Sequence, residues 1–302
     1  MNGPTLSVYM PNFNHAAYLP QAIEAIVGQS RPPDEFLIGD DASSDNSAEI
    51  IESYAKRYPS IRFLRHARNQ GAVATIDELV QACRGDYLYG AAADDFVLPG
   101  FFETAMKAAA DFPQAGVVFG KLISVDGSGR NMRNVQAPPW ETTQFVSPMR
   151  YRTEYLDRQP PYRSLSTSTI YRRDCLAEVG WFRPELGHWC DTFAIRAIAL
   201  KHGAAYVPQP FAVWRKLTGS FSEKYQSDLR KNQGIIDRAA SLMRSPEFRD
   251  RFPEPHVRRW SQGYRRANQL LYLRAIARRT IGGMIAAPQR LFGRWQSRQC
   301  SA

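Results

Sequence analysis

The chain has 302 residues, 44% hydrophobic and 23% charged, enough for one large α/β domain with a full core and ordinary for a soluble globular protein. Its formal charge of +10 is confined to one end, because residues 251–302 hold 11 Arg and one Glu while the first 250 residues balance at zero. That distribution argues against a nucleic-acid binder, whose charge would cover the fold, and the lack of any window of 18 uncharged apolar residues argues against a membrane span. Cys83, Cys175, Cys190 and Cys300 have neither metal-ligand spacing nor the pattern of a disulfide framework, which suits a reducing cytoplasm. Met1-Asn-Gly-Pro-Thr5 carries no basic segment before an apolar stretch, so no signal peptide is expected.

Thr5-Leu-Ser-Val-Tyr-Met10 reads as a buried strand that leads through Pro11-Asn-Phe-Asn-His15 into a helix from about Tyr18 to Val27. Phe36-Leu-Ile-Gly39 is a second strand, and it runs into Asp40-Asp41-Ala-Ser-Ser-Asp45 before a helical pattern starts near Ala48. A short strand over Ile61–Arg65, a helix over Ala72–Ala82 and a buried strand from Tyr87 follow. That last strand ends in Asp94-Asp95, with a helix expected after Leu98-Pro99-Gly100. Two adjacent carboxylates at a strand mouth repel each other and are costly to desolvate, so they need a cation or a hydrogen-bonding ligand. Mg2+ or Mn2+ suits such oxygen ligands with substrate phosphates completing the shell, whereas a solvated helix N-cap is the competing reading. The second pair, Asp40-Asp41, favours the ligand site, because the carboxyl ends of parallel strands line one crevice.

Gly116–Ile123 reads as another strand closed by the turn Asp126-Gly-Ser-Gly129. Residues 131–163 mix five prolines with Trp140, Tyr151, Tyr155 and Tyr162, which fits either an acceptor-binding flap or a loop pinned to the core by its rings. Beyond Gly180-Trp-Phe-Arg-Pro, helical spacing begins at Phe193 and sets Asp191 at the first turn, where the helix dipole favours a carboxylate and a simple N-cap is the alternative. The chain from about Glu223 reads as helical, with Val257, Trp260, Tyr264, Ala267 and Leu271 on one face and Arg258, Arg259, Arg265 and Arg266 largely off it. Such a helix either lies on anionic lipid or packs on the preceding domain with its charges in water. As a separable surface element, it would leave that domain folded when cut after about Pro253.

Taken in order, Leu6-Ser-Val-Tyr-Met-Pro11-Asn-Phe-Asn14 with Tyr18-Leu19, Asp40-Asp41-Ala-Ser-Ser-Asp45, Asn69-Gln-Gly71, Gly85-Asp86-Tyr87 and Ala93-Asp94-Asp95 resemble the ordered signature of family 2 glycosyltransferases of the GT-A fold. The resemblance covers roughly residues 5–220 and is closest in the first 125. It implies an α/β fold, a mixed, mainly parallel sheet flanked by helices, with a C-terminal helical extension. The expected division is residues 1–222 as the catalytic domain, 1–125 for the donor and 126–222 for the acceptor, then the basic extension 223–302.

The resemblance also implies a nucleotide-diphosphate sugar donor, UDP foremost, a divalent metal, Mn2+ or Mg2+, and inversion at the anomeric carbon. Pro11, Asn12 and Asn14 would line the nucleotide, Asp41 would bind its base, Asp94 would serve the ribose or metal shell, and Asp95 would hold the metal. Asp191 would be the catalytic base, although Cys190 stands where the family usually has Glu. His188, Trp189 and Arg215 are expected near the diphosphate or acceptor, and Leu217 replaces a common His. The chain lacks the Gln-x-x-Arg-Trp motif and the membrane spans of processive synthases, so it is expected to add one sugar to a glycan, lipid-linked or protein acceptor in surface polysaccharide synthesis. An anionic membrane at the inner cytoplasmic face is a further expected contact for the arginine-rich tail. A sugar-phosphate nucleotidyltransferase would need a Gly-rich, cationic loop after the first strand, which Pro11–His15 does not supply. A non-catalytic nucleotide-sugar scaffold remains the other alternative, suggested by Cys190 and Leu217.

Overall fold

The computed structural model describes residues 3–126, 133–135, 137–158, 165–217, 220, 228–270 and 272–273. Its first half alternates strand and helix: β1 (Leu6–Asn12), α1 (Leu19–Val27), β2 (Glu35–Asp40), α2 (Ser47–Arg57), β3 (Ile61–Arg65), α3 (Ala72–Ala82) and β4 (Tyr87–Gly90). A two-residue strand β5 (Phe96–Val97), α4 (Phe101–Asp111), β6 (Val117–Asp126), β7 (Arg133–Val135) and β8 (Gln144–Val146) follow. Next come a helical stretch α5 (Pro148–Arg150) that continues in π and 3-10 turns to Arg158, β9 (Thr169–Arg172), α6 (Arg173–Glu178), α7 (Cys190–His202), β10 (Ala204–Lys216) and α8 (Leu229–Arg244). Residues 254–270 form a last helix, α9.

The sheet order is β3-β2-β1-β4-β9-β6-β10-β5, with β7 on the edge of β6 and β8 on β10. β3, β2, β1 and β4 pair in parallel, β9 runs against both β4 and β6, and β10 is parallel to β6. The carboxyl ends of β1, β2, β4 and β10 and the start of β9 therefore share one edge. The turn expected at Asp126–Gly129 lies largely outside the described residues, but β6 and β7 pair antiparallel with Ile123 opposite Asn134, as a hairpin requires.

Alternation along β1 sorts its side chains onto two faces. Leu6, Val8 and Met10 join α1 and α4 in one cluster, whereas Tyr9 joins α3 and α7 in the other. The second cluster extends into the C-terminal helices, because Ile235, Ile236, Ala239 and Met243 of α8 and Val257 and Trp260 of α9 pack with Phe193 and Trp189. The Trp189 and Trp260 rings lie 4.6 Å apart. The helical segment expected after residue 222 thus shares a core with the α/β domain, while Arg258, Arg259, Arg265 and Arg266 remain exposed. Among the aromatic residues between 131 and 163, Trp140, Tyr151 and Tyr155 are buried around Phe119 and so pin that segment to the core; Tyr162 lies outside the described residues.

Candidate active site

At the shared edge, Asn12 and Asp40 stand opposite each other in the β1–β2 register. Asp40 is fully buried and held from three sides: its Oδ1 accepts from Asn12 Nδ2 at 2.7 Å and Ser43 Oγ at 2.5 Å, and its Oδ2 accepts from the Ser43 amide at 3.0 Å. Asn14, in the left-handed region at φ 58°, presents Oδ1 to the Ser44 amide at 2.8 Å, and its own amide donates to Ser43 Oγ at 2.9 Å. These polar residues lace the loop after β1 to the loop after β2. Between Asn12 and Asn14, next to the half-buried Pro11, Phe13 is 44% exposed. An aromatic ring flanked by two polar turn residues is the signal by which it could have been found.

Asp41 leaves β2 just beyond that lacing. Its Oδ1 accepts from the Gln70 amide at 2.8 Å and meets His66 Nδ1 at 2.9 Å, and its Oδ2 accepts from the Gly71 amide at 2.8 Å. Gly71 has φ 94°, a conformation that favours glycine and lets its amide turn inward at the start of α3. Burial pushes the Asp41 pKa up, but the His66 and backbone hydrogen bonds outweigh it and leave the group below its ordinary value. His66 Nε2 lies 2.8 Å from Glu78 Oε2 on α3. The Asp41 hydrogen bond raises the His66 pKa, burial opposes it, and Glu78 adds to the rise. The sequence does not single out His66, because its proximity to Asp41 depends on the β2–β3 register, which sets Arg65 opposite Asp40.

The Asp94-Asp95 pair follows β4 on the same edge. Asp95 is 4% exposed, and its Oδ1 accepts the Arg215 amide of β10 at 2.8 Å. Its other oxygen accepts no hydrogen bond from the described residues. Burial, then the neighbouring Asp94 charge, raises its pKa well above the carboxylate range, and Arg215 only partly offsets this. The Arg215 side chain is buried rather than solvated: Nη1 donates to the Asp94 carbonyl at 2.6 Å, Nη2 donates to Gln21 Oε1, and the guanidinium lies over the Phe96 and Tyr18 rings at 4.8 and 5.3 Å. It holds the Asp94–Asp95 loop to α1. No cluster of three or more His, Cys, Asp or Glu side chains suited to a metal occurs among the described residues. A desolvated carboxylate beside a second one nevertheless fits Mg2+ or Mn2+, which bind through one or two carboxylates and let phosphate and water complete the shell.

Asp191 sits in the first turn of α7, whose dipole favours its negative charge. Burial raises its pKa, while hydrogen bonds from the Ser166 side chain and from the Thr192 amide and hydroxyl, the last at 3.1 Å, pull it back. Ser166 stands just before β9, so this bond anchors Asp191 at the shared edge. Tyr89 of β4 ties the two halves together: its hydroxyl donates to the Thr167 carbonyl at 2.9 Å, and burial, then the Asp95 charge, raises its pKa. Burial, then the nearby Cys83, Cys190 and Asp191, raises the pKa of Tyr9, whose hydroxyl crowds Gly90 so closely that a Cβ there would clash with it. The neighbours of Asp191 differ from one another in role. Cys190 and Trp189 are buried in the core shared with α9, and His188 is half-buried, its pKa lowered by burial to about 4. Cys83, Cys175 and Cys190 are free thiols.

The family model described as Glycosyl transferase family 2 matches residues 7–180. The chain is 25% identical to EpsH of Bacillus subtilis (strain 168) over 233 residues, which take in 76% of this chain and 66% of EpsH. It is similar in structure to Staphylococcus aureus TarS 1-349 in complex with UDP-GlcNAc, with a TM-score of 0.70 at 16% identity over 86% of this chain and 72% of that one. It is also similar to the mannosyltransferase PcManGT from Pyrobaculum calidifontis in complex with GDP-Man and Mn2+, with a TM-score of 0.61 at 18% identity over 96% of this chain and 81% of that one. Both likenesses cover a larger share of the chain than the family model does. With a family model matched over more than half its length and a mixed sheet flanked by helices like those of GT-A enzymes, this chain belongs to glycosyl transferase family 2.

Proposed function

We propose that the protein transfers a single sugar, with inversion, from a nucleotide-diphosphate sugar to a hydroxyl group of a glycan, lipid-linked or protein acceptor. The observation that carries the reading is Asp95, a carboxylate desolvated beside Asp94 at the ligand-binding edge, with one oxygen left without a protein donor among the described residues. Asp95 would hold Mn2+ or Mg2+, with Asp94 in the ribose or metal surroundings. When bound, the cation supplies Lewis-acid stabilisation of the charge that develops on the departing diphosphate. Pro11, Asn12 and the laced loops form the floor, Asp41 offers an acceptor to the base, and the exposed Phe13 ring is a surface on which the base can stack. UDP is the nucleotide we favour, in line with the UDP-GlcNAc complex of TarS.

Asp191 takes the proton from the acceptor hydroxyl while that oxygen attacks the anomeric carbon. The bond from that carbon to the diphosphate oxygen breaks in the same displacement, and the oxygen leaves with the electron pair. Arg215 acts before the chemistry, by fixing the Asp94–Asp95 loop, and not as a free cation for phosphate.

The acceptor is best supplied at the inner, cytoplasmic face of a membrane. No helix among the described residues is long and apolar enough to cross one. Arg266 is exposed on α9 near the exposed Leu270, Tyr272 and Leu273, a mixture suited to an anionic lipid surface. The reading is tested by incubating the protein with UDP- and GDP-sugars, Mn2+ and candidate acceptors, then determining nucleoside diphosphate release and the anomeric configuration of the product by NMR. Acceptor-dependent release with inverted product is expected. A retained configuration, or no release with any acceptor, contradicts it.

A further inference from the structure

We infer that His66 is a positioning residue for nucleotide recognition, clamped between Asp41 and Glu78 so that Asp41 presents one fixed acceptor to the base. The inference rests on the donor-site reading of Asp41. Both ring nitrogens of His66 face carboxylates, Nδ1 at 2.9 Å from Asp41 and Nε2 at 2.8 Å from Glu78. Only the imidazolium can donate from both nitrogens at once; a neutral ring turns a lone pair on one of the two acids. The contacts therefore call for the protonated ring.

The acceptor count on Asp41 shows what the clamp achieves. Oδ1 is filled by His66 and the Gln70 amide, and Oδ2 takes the Gly71 amide, so a single acceptor position remains on Oδ2. A carboxylate bonded from three sides cannot rotate to meet a ligand, and the remaining lone pair selects a base with an N–H in one place. The charged groups facing His66 are Asp41 from the loop after β2 and Glu78 from α3. On its own strand, Arg65 instead lies 4.0 Å from Glu52, and neighbouring Asp40 is engaged by Asn12 and Ser43.

The direction of the pH effect follows. His66 is raised above its ordinary value, so the clamp is complete at low pH and is lost as pH rises through that raised value. Deprotonation leaves two carboxylates sharing one N–H, and Asp41 is no longer fixed.

Calorimetric titration of UDP and GDP, each with Mn2+, and of pyrophosphate with Mn2+ tests the inference between about pH 6 and 8.5. Nucleotide affinity of the wild type should fall several-fold across that range, and pyrophosphate affinity should not follow it. E78Q should move the fall to lower pH. H66N, whose amide can reach Asp41 but does not titrate, should bind nucleotide with a flat profile, and H66A should bind about tenfold more weakly at the acid end. Thermal unfolding checks that the variants are folded, and E78Q and H66N carry the test if H66A is not. H66A with wild-type affinity, E78Q with an unmoved profile, or a pyrophosphate profile that falls in parallel each overturns the role of His66. D41N separates the two readings: weak nucleotide binding by D41N alongside an unaffected H66A discards His66 only. Wild-type affinity in D41N, or a wild type that binds neither nucleotide, discards the donor-site reading and this inference with it.

Discussion

Burial lifts the Asp191 pKa, and hydrogen bonds from Ser166 and Thr192 reverse only part of the rise, so the group is a stronger base than a solvated aspartate. A base must be ionised to accept the acceptor's proton. The kcat/KM profile should therefore lose its acid limb through an inflection above the ordinary aspartate range. Asp191→Asn should lower transfer by about 10²–10⁴-fold while leaving donor affinity in place. A carboxyl group raised in the folded state contributes stability below its unfolded pKa and loses it as pH rises through the folded value. At neutral pH the uncharged Asn variant should thus melt higher than wild type; a lower melting temperature, or near-normal transfer, would count against the assignment. Phe13→Ala should weaken nucleotide binding by about 1–3 kcal/mol with only a small change in melting temperature, because nearly half of the residue is exposed. The sequence singles out Asp94, Asp95 and Asp191 as acidic residues at strand and helix ends, and the structure sets them along the shared edge. Arg215 was legible as a residue but not in its role, since its contact with Asp95 joins positions 120 residues apart.

At the scale of elements, the strands and helices of the first half follow from their apolar spacing, and the structure places them within a few residues of the sequence reading. The insertion of β9 between β4 and β6 does not follow, because four residues, Thr169 to Arg172, the first three of them buried, carry no signal of direction or partner. The docking of α9 was legible as an apolar stripe, but not the surface that receives it. The Trp260 ring packs at a tilt against Trp189, whose next residues are Cys190 and Asp191, so α9 braces the start of α7, the helix that carries the proposed base. Trp260→Ala should destabilise the protein by about 3–5 kcal/mol in denaturant titration, and the loss of packing under α7 should lower transfer as well. Truncation after Pro253 would remove Val257 and Trp260 from the core and should yield unfolded or aggregated protein, the reverse of what a separable tail would give. A soluble product with wild-type melting behaviour would show that α9 adds nothing to the core.

The whole molecule divides its charge along the chain: a neutral first 250 residues, then an arginine-rich end. Residues 274–302 alone hold six Arg and no acidic residue. Truncation after Leu273 keeps the α9 packing, so it should leave the melting temperature in place while weakening binding to anionic vesicles, a binding that should also fade as salt rises. Full-length protein that ignores anionic vesicles would remove the membrane from the account. That the whole is a donor site built on desolvated acids is tested most directly by melting wild-type and Asp95→Asn protein with UDP-, GDP- and dTDP-sugars, each with and without Mn2+. One class of nucleotide sugar should stabilise the wild type only when Mn2+ is present, by about 2.7 kcal/mol at a hundredfold excess over Kd. Asp95→Asn should melt higher than wild type alone and lose the Mn2+-dependent gain. Equal Mn2+-dependent stabilisation of the two proteins, or none of the wild type by any sugar nucleotide, would contradict the account.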